Sequence, residues 1–321
     1  MRIRAIRLML LLLLLLLVPA WGTATSILDD LEHVGLYAAA TYQRFEDWAN
    51  SRACSVCQHS DIRSTEINAT WSTAIPAASR GFVGIYHNRR HVVVAFRGTT
   101  HVMDVLADAQ IAEVKWPSAE ADGNESRVHA GFLAAYLSAR DTVLGALDAI
   151  AADSNSEYSI LFVGHSLGAA QATLAFADYA EHTSNTSSAT SRKMRLITFG
   201  SPRVGNREFA RHVDRAATGD GVHLRVVHEA DMVPHLPRTI VPRLHDYAHS
   251  GREIWARDSE TAPASDVVLC RKLEDGEEDP ACSVSVGPLR WNIADHFVYP
   301  GIRIGIPRYL VQKEGREADW L

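Results

Sequence analysis

Positive charge is in short supply in this chain. Its 321 residues hold 32 Lys and Arg against 38 Asp and Glu, a formal charge of −6 with histidine neutral. Neutralising a phosphate backbone needs a basic excess, so nucleic acid is excluded as the expected partner. Beyond the N-terminus no apolar run is long enough to cross a bilayer, and no internal repeat or collagen-like period is present. With 47% hydrophobic and 22% charged residues the chain is not disordered, and its length suits one large α/β domain or two modest ones. Metal-binding patterns are also missing. His245 and His249 stand four apart without the glutamate of HExxH, and no histidine pair lies at ligand spacing beside a cysteine pair. Neither a metal nor a cofactor is expected.

The N-terminus has a separate character. Arg2, Arg4 and Arg7 precede an apolar run from Leu8 to Val18, which ends at Pro19 and small residues through Ala24. This is the layout of a secretory signal; a signal anchor is the alternative, but the run falls short of the roughly 20 residues that span a bilayer. Cleavage between Ala20 and Ser26 removes three arginines and no acid, leaving a more acidic mature chain. In an oxidising compartment the four cysteines, Cys54, Cys57, Cys270 and Cys282, are expected to pair. Local bridges 54–57 and 270–282 are the first expectation and a cross-link between the two pairs the second. The CxxC at Cys54 lacks the following βαβ pattern of a redox motif. Sequons at Asn68, Asn124 and Asn185 fall in polar, turn-like contexts and are candidates for glycosylation.

Along the mature chain a helical period runs from Ile27 to about Trp48, and it is expected to pack across a sheet. GFVGIYH at 81–87 and HVVVAFRG at 91–98 read as a hairpin around Asn88-Arg89-Arg90. Continuous apolar runs at 158–164, 195–201 and 222–228 alternate with helical stretches, the pattern of a mostly parallel sheet covered on both faces. SNTSSATS at 184–191 reads as a surface loop.

Chemistry concentrates at Gly164-His165-Ser166-Leu167-Gly168, a GxSxG between the strand YSILFV and the helical AAQATLAFADYA. A serine on a sharp strand-to-helix turn takes a strained backbone, glycines let the two elements approach, and the helix N-terminus stabilises negative charge. Serine needs a base and an orienting acid, which follow in the order Ser, Asp, His on this type of sheet. Asp231 lies just past the run VHLRVVH, where a loop at a strand's C-terminal end reaches the same sheet edge. His296, in WNIADHFVYPG, follows it near the end of the domain. His245 and His249 are alternatives, but HDYAHSGREIW reads as the start of an edge strand in which His249 and Glu253 serve hydrogen bonding. His87, His91 and His129 are taken as surface or satisfied core groups.

Six motifs together resemble the class 3 lipases of the secreted fungal type: VVVAFRGTT at 92–100, VHAGFLAAY at 128–136, VGHSLGAA at 163–170, ITFGSPRVGN at 197–206, HEADMVPHLP at 228–237 and DHFVYPG at 295–301. The resemblance covers most of the mature chain in the family's order. With the leader taken as 1–24, it implies a single α/β-hydrolase domain over 25–321 with a mostly parallel central sheet and helices on both faces. It implies Ser166 as nucleophile, Asp231 as acid and His296 as base of a triad working through an acyl-enzyme. It also gives Thr99 and the Leu167 backbone N–H as oxyanion donors, and an ester of the acylglycerol type as substrate. In HVMDVLADA, after the oxyanion residue, Val102, Val105 and Leu106 share one face if the segment is helical, as a lid for transient contact with lipid would require. An ordinary surface helix would show the same stripe. Relatives that attack triglyceride often carry tryptophan there, and this chain has Val105. Feruloyl or short-chain esterase, phospholipase, and a noncatalytic binding or signalling homologue are the alternatives on the same scaffold.

Overall fold

Strands whose two faces are both buried read as near-continuous apolar runs, and the central runs of this chain are mostly so, with Thr198, His223, Arg225 and Glu253 among the buried polar exceptions within them. In the computed structural model, which describes residues 24–74, 78–99, 112–118, 125–153, 157–185, 192–217, 222–238, 246–257, 266–273 and 276–305, they form an eight-stranded sheet. Its strands are β1 (Glu66–Ser72), β2 (Arg80–Tyr86), β3 (His91–Phe96), β6 (Ser159–His165), β7 (Met194–Phe199), β9 (Val222–His228), β11 (Arg252–Ala256) and β12 (Val267–Leu269), adjacent in that order. From β3 to β11 every pairing is parallel; β1, β2 and β12 add antiparallel margins. The short strands β4 (Glu113–Lys115), β5 (Arg127–His129), β8 (Gly205–Asn206) and β10 (Tyr247–Ala248) make a second sheet, and β13 (Val298–Tyr299) pairs with β14 (Ile302–Arg303).

Alternation along each central strand assigns its side chains to two cores. Val92, Val94, Phe96, Ile160, Phe162 and Leu196 point to one face, beneath helices α2 (Ala130–Leu137), α3 (Arg140–Ala152), α4 (Leu167–Asn185) and α5 (Arg207–Ala216). Val93, Ala95, Leu161, Val163, Ile197 and Phe199 point to the other, where α1 (Ala24–Ala40) lays down Leu31, Val34, Tyr37 and Ala38. The expected hairpin is β2 with β3, turned through Arg90 in the left-handed region at φ 53°.

Several expectations are corrected. The first helix ends at Ala40 and does not reach Trp48; a turn and a 3₁₀ segment Phe45–Asp47 follow. HDYAHSGREIW holds two strands: β10 is an edge strand, as expected, of the second sheet, whereas β11, which carries Glu253, is interior, paired on both sides by β9 and β12. Asn68 sits inside β1 and not in a turn, exposed where the register with β2 skips between Ile67 and Ala69, so the edge strand bulges there. Ser184 and Asn185 belong to the last turn of α4 and not to a loop, and residues 186–191 lie outside the described residues. The cysteines pair locally, Cys54 with Cys57 and Cys270 with Cys282. Val102, Val105, Leu106, Asn124, His245 and residues 1–23 lie outside the described residues. Among the described residues no helix is long and apolar enough to cross a membrane.

Candidate active site

The parallel order places the C-terminal ends of β3, β6, β7 and β9 along one edge, and the candidate residues gather there. β6 ends at His165 and α4 begins at Leu167, so Ser166 is the single residue between strand and helix. Its φ is +60°, a left-handed conformation that costs a non-glycine residue about 1–3 kcal/mol. The flanking glycines make the turn possible. A Cβ on Gly164 would lie 2.2 Å from the Gly168 carbonyl oxygen, and one on Gly168 would lie 2.3 Å from the Phe96 carbonyl oxygen. The Ser166 N–H donates to the Phe199 carbonyl at 3.0 Å, and its own carbonyl accepts from Ala169 at 2.9 Å, locking the elbow to β7 and to α4.

Asp231 follows β9 and is fully buried, as is His296 in the 3₁₀ turn Ala294–Phe297. Two loops distant in sequence are stitched together to bring them face to face. Asn292 N–H donates to the Ala230 carbonyl at 2.9 Å, Ala230 N–H donates to the Asp295 carboxylate at 3.1 Å, and Asp231 and Asn292 form a lone parallel bridge. His296 Nδ1 then lies 2.8 Å from Asp231 Oδ2, while Asp231 Oδ1 accepts the Val233 N–H at 2.9 Å. A carboxylate only accepts, so Nδ1 carries the proton and Nε2 keeps the lone pair. That nitrogen is buried without a hydrogen-bond partner. The ring packs over Gly200, where a Cβ would meet it at 2.7 Å, next to the Phe199 carbonyl that holds Ser166.

Thr99 is half-buried and follows Gly98, whose Cβ position is 2.9 Å from Ser166 Cβ. Leu167 opens α4, ahead of the helix's own hydrogen bonds, so its N–H belongs to the unsatisfied first turn. Among the other histidines, His249 is buried with Nε2 donating to the Pro234 carbonyl at 2.8 Å, and burial holds its pKa well below the usual value. Glu253 accepts from Ser283 N–H at 3.0 Å and faces Arg225 at 3.3 Å, the hydrogen-bonding role expected of it. His87 is exposed and His91 bonds Ser159 at 2.7 Å, but His129 is buried and caps α2 by accepting the N–H groups of Gly131 and Phe132. Among the described residues one group of three metal-ligating side chains comes close together, Glu253, Cys270 and Cys282, and its cysteines are bonded to each other and offer no thiolate.

Sequence reasoning gave no role to Gly98, Gly200 or Tyr299, and none to the ring of His165. The Tyr299 hydroxyl donates to the His296 carbonyl at 3.1 Å, and burial raises its pKa well above the usual value, keeping it a donor. His165 Nε2 lies 2.7 Å from the same carbonyl. The available signal was their position inside motifs quoted for other residues.

A profile for "Lipase (class 3)" matches residues 93–240. The lipase of Rhizomucor miehei is 31% identical over 252 residues, covering 78% of this chain; the chain spans 63% of that protein. The secreted mono- and diacylglycerol lipase A of Penicillium cyclopium is 30% identical over 284 residues, covering 86% of this chain and 85% of the relative. The crystallised lipase II of Rhizopus niveus superposes with a TM-score of 0.74 at 27% identity, over 88% of this chain and 97% of that one. By sequence over most of its length and by the shared sheet, this chain belongs to the class 3 lipases, a family of carboxylic ester hydrolases on the α/β-hydrolase fold.

Proposed function

We propose that the protein is a secreted serine hydrolase that cleaves acylglycerol esters through an acyl-enzyme, with Ser166 as nucleophile, His296 as base and Asp231 as its orienting acid. The observation that carries this is the buried His296 whose Nδ1 is held by Asp231 at 2.8 Å and whose Nε2 has no partner, at the sheet edge where Ser166 occupies a strained elbow. Nε2 takes the serine proton as Oγ attacks the ester carbonyl, then passes it to the leaving alcohol; water repeats the sequence on the acyl-enzyme. Asp231 selects the tautomer and stabilises the imidazolium. The developing oxyanion meets the Leu167 N–H and Thr99, each donor worth about 3 kcal/mol in the transition state.

An acylglycerol substrate is supported by the Penicillium relative, which is named for mono- and diacylglycerols. Secretion is supported by the leader-like N-terminus, by two disulfides suited to an oxidising compartment, and by that relative's description as secreted. Transient contact with a lipid surface is supported by the apolar positions Val102, Val105 and Leu106 in the sequence after the oxyanion residue. The test is hydrolysis of glycerides of rising acyl length, below and above their solubility, by the wild type and Ser166→Ala. Wild-type activity on emulsified glycerides, lost by about 10⁶-fold in the variant, is expected. Preference for soluble aryl esters with a smooth saturation curve would favour an esterase, and activity retained by Ser166→Ala would overturn the triad.

A further inference from the structure

A second set of hydrogen bonds, outside the triad, ends on the backbone of the base. Tyr42 lies in the turn just after α1, with Gly305 against its ring and Arg97 5.4 Å from the ring centroid. Its hydroxyl is 2.7 Å from His165 Nδ1 and lies against Gly98, where a Cβ would meet it at 2.3 Å. His165 is fully buried, and its Nε2 is 2.7 Å from the His296 carbonyl oxygen. A carbonyl cannot donate, so Nε2 carries the proton. Burial together with the charge that His296 takes up holds the His165 pKa well below the usual value, so the ring is neutral and Nδ1 is an acceptor. Tyr42 therefore donates to it. The order is Tyr42 O–H to His165 Nδ1, then His165 Nε2–H to the His296 carbonyl, which also accepts from Tyr299 at 3.1 Å.

We propose that Tyr42 and His165 are positioning residues for the base: Tyr42 fixes the tautomer of His165, and His165 with Tyr299 clamps the His296 carbonyl so that Nε2 is held toward the serine. Three features favour this role over plain packing. The clamp acts on the main chain of the base itself, in a 3₁₀ turn whose own backbone bonds are few. An apolar side chain would fill the position of His165 without needing two buried partners, so a histidine there is costly unless its bonds serve a purpose. Through its contact with Gly98 the same hydroxyl reaches the residue before Thr99, so one phenol joins the oxyanion segment, the elbow and the base loop. The neutrality of His165 matters as well: the two imidazole rings are 4.4 Å apart, and a cation there would oppose the imidazolium that catalysis requires.

This inference rests on the triad reading, and the experiment separates the two. Turnover of a soluble butyrate ester is measured for Tyr42→Phe, His165→Met, His165→Gln, Ser166→Ala and Asp231→Asn, with melting temperature and the downfield proton resonance of His296 Nδ1–H. His165→Met is expected to lower kcat by about 10² with KM within about twofold, the cost of a misplaced catalytic group. His165→Gln, whose amide can accept from Tyr42 and donate to the His296 carbonyl, is expected to recover at least about tenfold of that loss. Tyr42→Phe should lower kcat by about tenfold and broaden the downfield resonance while the melting temperature stays near the wild type. Equal losses for Met and Gln, or kcat within about twofold of wild type for Met and Phe, overturn the clamp. If Tyr42→Phe fails to fold, the Met and Gln pair decides. Full activity in Ser166→Ala or Asp231→Asn overturns the triad; inactivity there beside normal Tyr42 and His165 variants overturns the clamp alone.

Discussion

Asp231→Asn replaces one oxygen by an amide nitrogen and leaves the volume of a fully buried side chain unchanged, so its effect follows from hydrogen-bond polarity. The wild-type carboxylate accepts twice, from His296 Nδ1–H at 2.8 Å and from the Val233 N–H at 2.9 Å. An asparagine has one acceptor for these two donors. If the amide oxygen stays on His296, the NH₂ group is pressed against the Val233 N–H, and a buried backbone donor left unpaired costs about 1–3 kcal/mol. If the oxygen stays on Val233, the NH₂ group faces Nδ1, and the imidazole responds by moving its proton to Nε2. The second arrangement pairs both the Val233 N–H and Nδ1 and is the one expected. In it Nε2 has no lone pair, so the serine proton has nowhere to go. The tautomer preference alone amounts to about tenfold to a hundredfold, at 1.4 kcal/mol per tenfold, and loss of the carboxylate charge beside the imidazolium brings the expected drop in kcat to about 10⁴. The assay is release of p-nitrophenol from the butyrate ester, with thermal melting to confirm an intact fold. A variant that retains more than about a tenth of wild-type kcat would refute the argument that Val233 dictates the amide's orientation.

Gly168→Ala puts a methyl group 2.3 Å from the Phe96 carbonyl oxygen, so β3 and α4 must separate; loss of about 3 kcal/mol or more is expected, read as a lowered urea midpoint or insoluble expression. His33 is buried with both ring nitrogens unpartnered, and burial lowers its pKa to about 4. The unfolded chain takes up that proton near pH 6.5 and the folded chain does not, so this contribution to stability is present above pH 6.5 and is lost as the pH falls toward 4. Urea titrations should therefore show His33→Phe losing about 2 kcal/mol less than wild type between pH 6.5 and 4.5, and parallel losses would contradict the assignment. Replacing Cys270 and Cys282 together by serine opens a loop closed at a separation of 12 residues and is expected to cost about 3 kcal/mol in denaturant midpoint, with kcat on soluble ester unchanged.

What the sequence determined by itself is local. A strand buried on both faces reads as a near-continuous apolar run, so the runs at 91–98, 158–164 and 195–201 were legible as strands, and alternation with helices implied a parallel sheet. The elbow was legible because a strand, a helix and two glycines around a serine leave few other geometries. Order along the chain singled out Asp231 and His296, but whether they meet depends on the bonds of Ala230, Asn292 and Asp295, which no spacing encodes. The bulge at Asn68, the interior place of β11 and the early end of the first helix were likewise settled by partners: the edge strand β1 has a neighbour on one side only, β12 supplies one for β11, and the helix stops where the chain turns to bring Tyr42 to the site. Tyr42 stands 123 residues before His165 and His165 stands 131 before His296, so the contacts that hold the base span most of the domain. Their polarity is fixed by a buried tautomer, and a tautomer is a property of the assembled site, set by which donor and which acceptor face each nitrogen once the chain is folded.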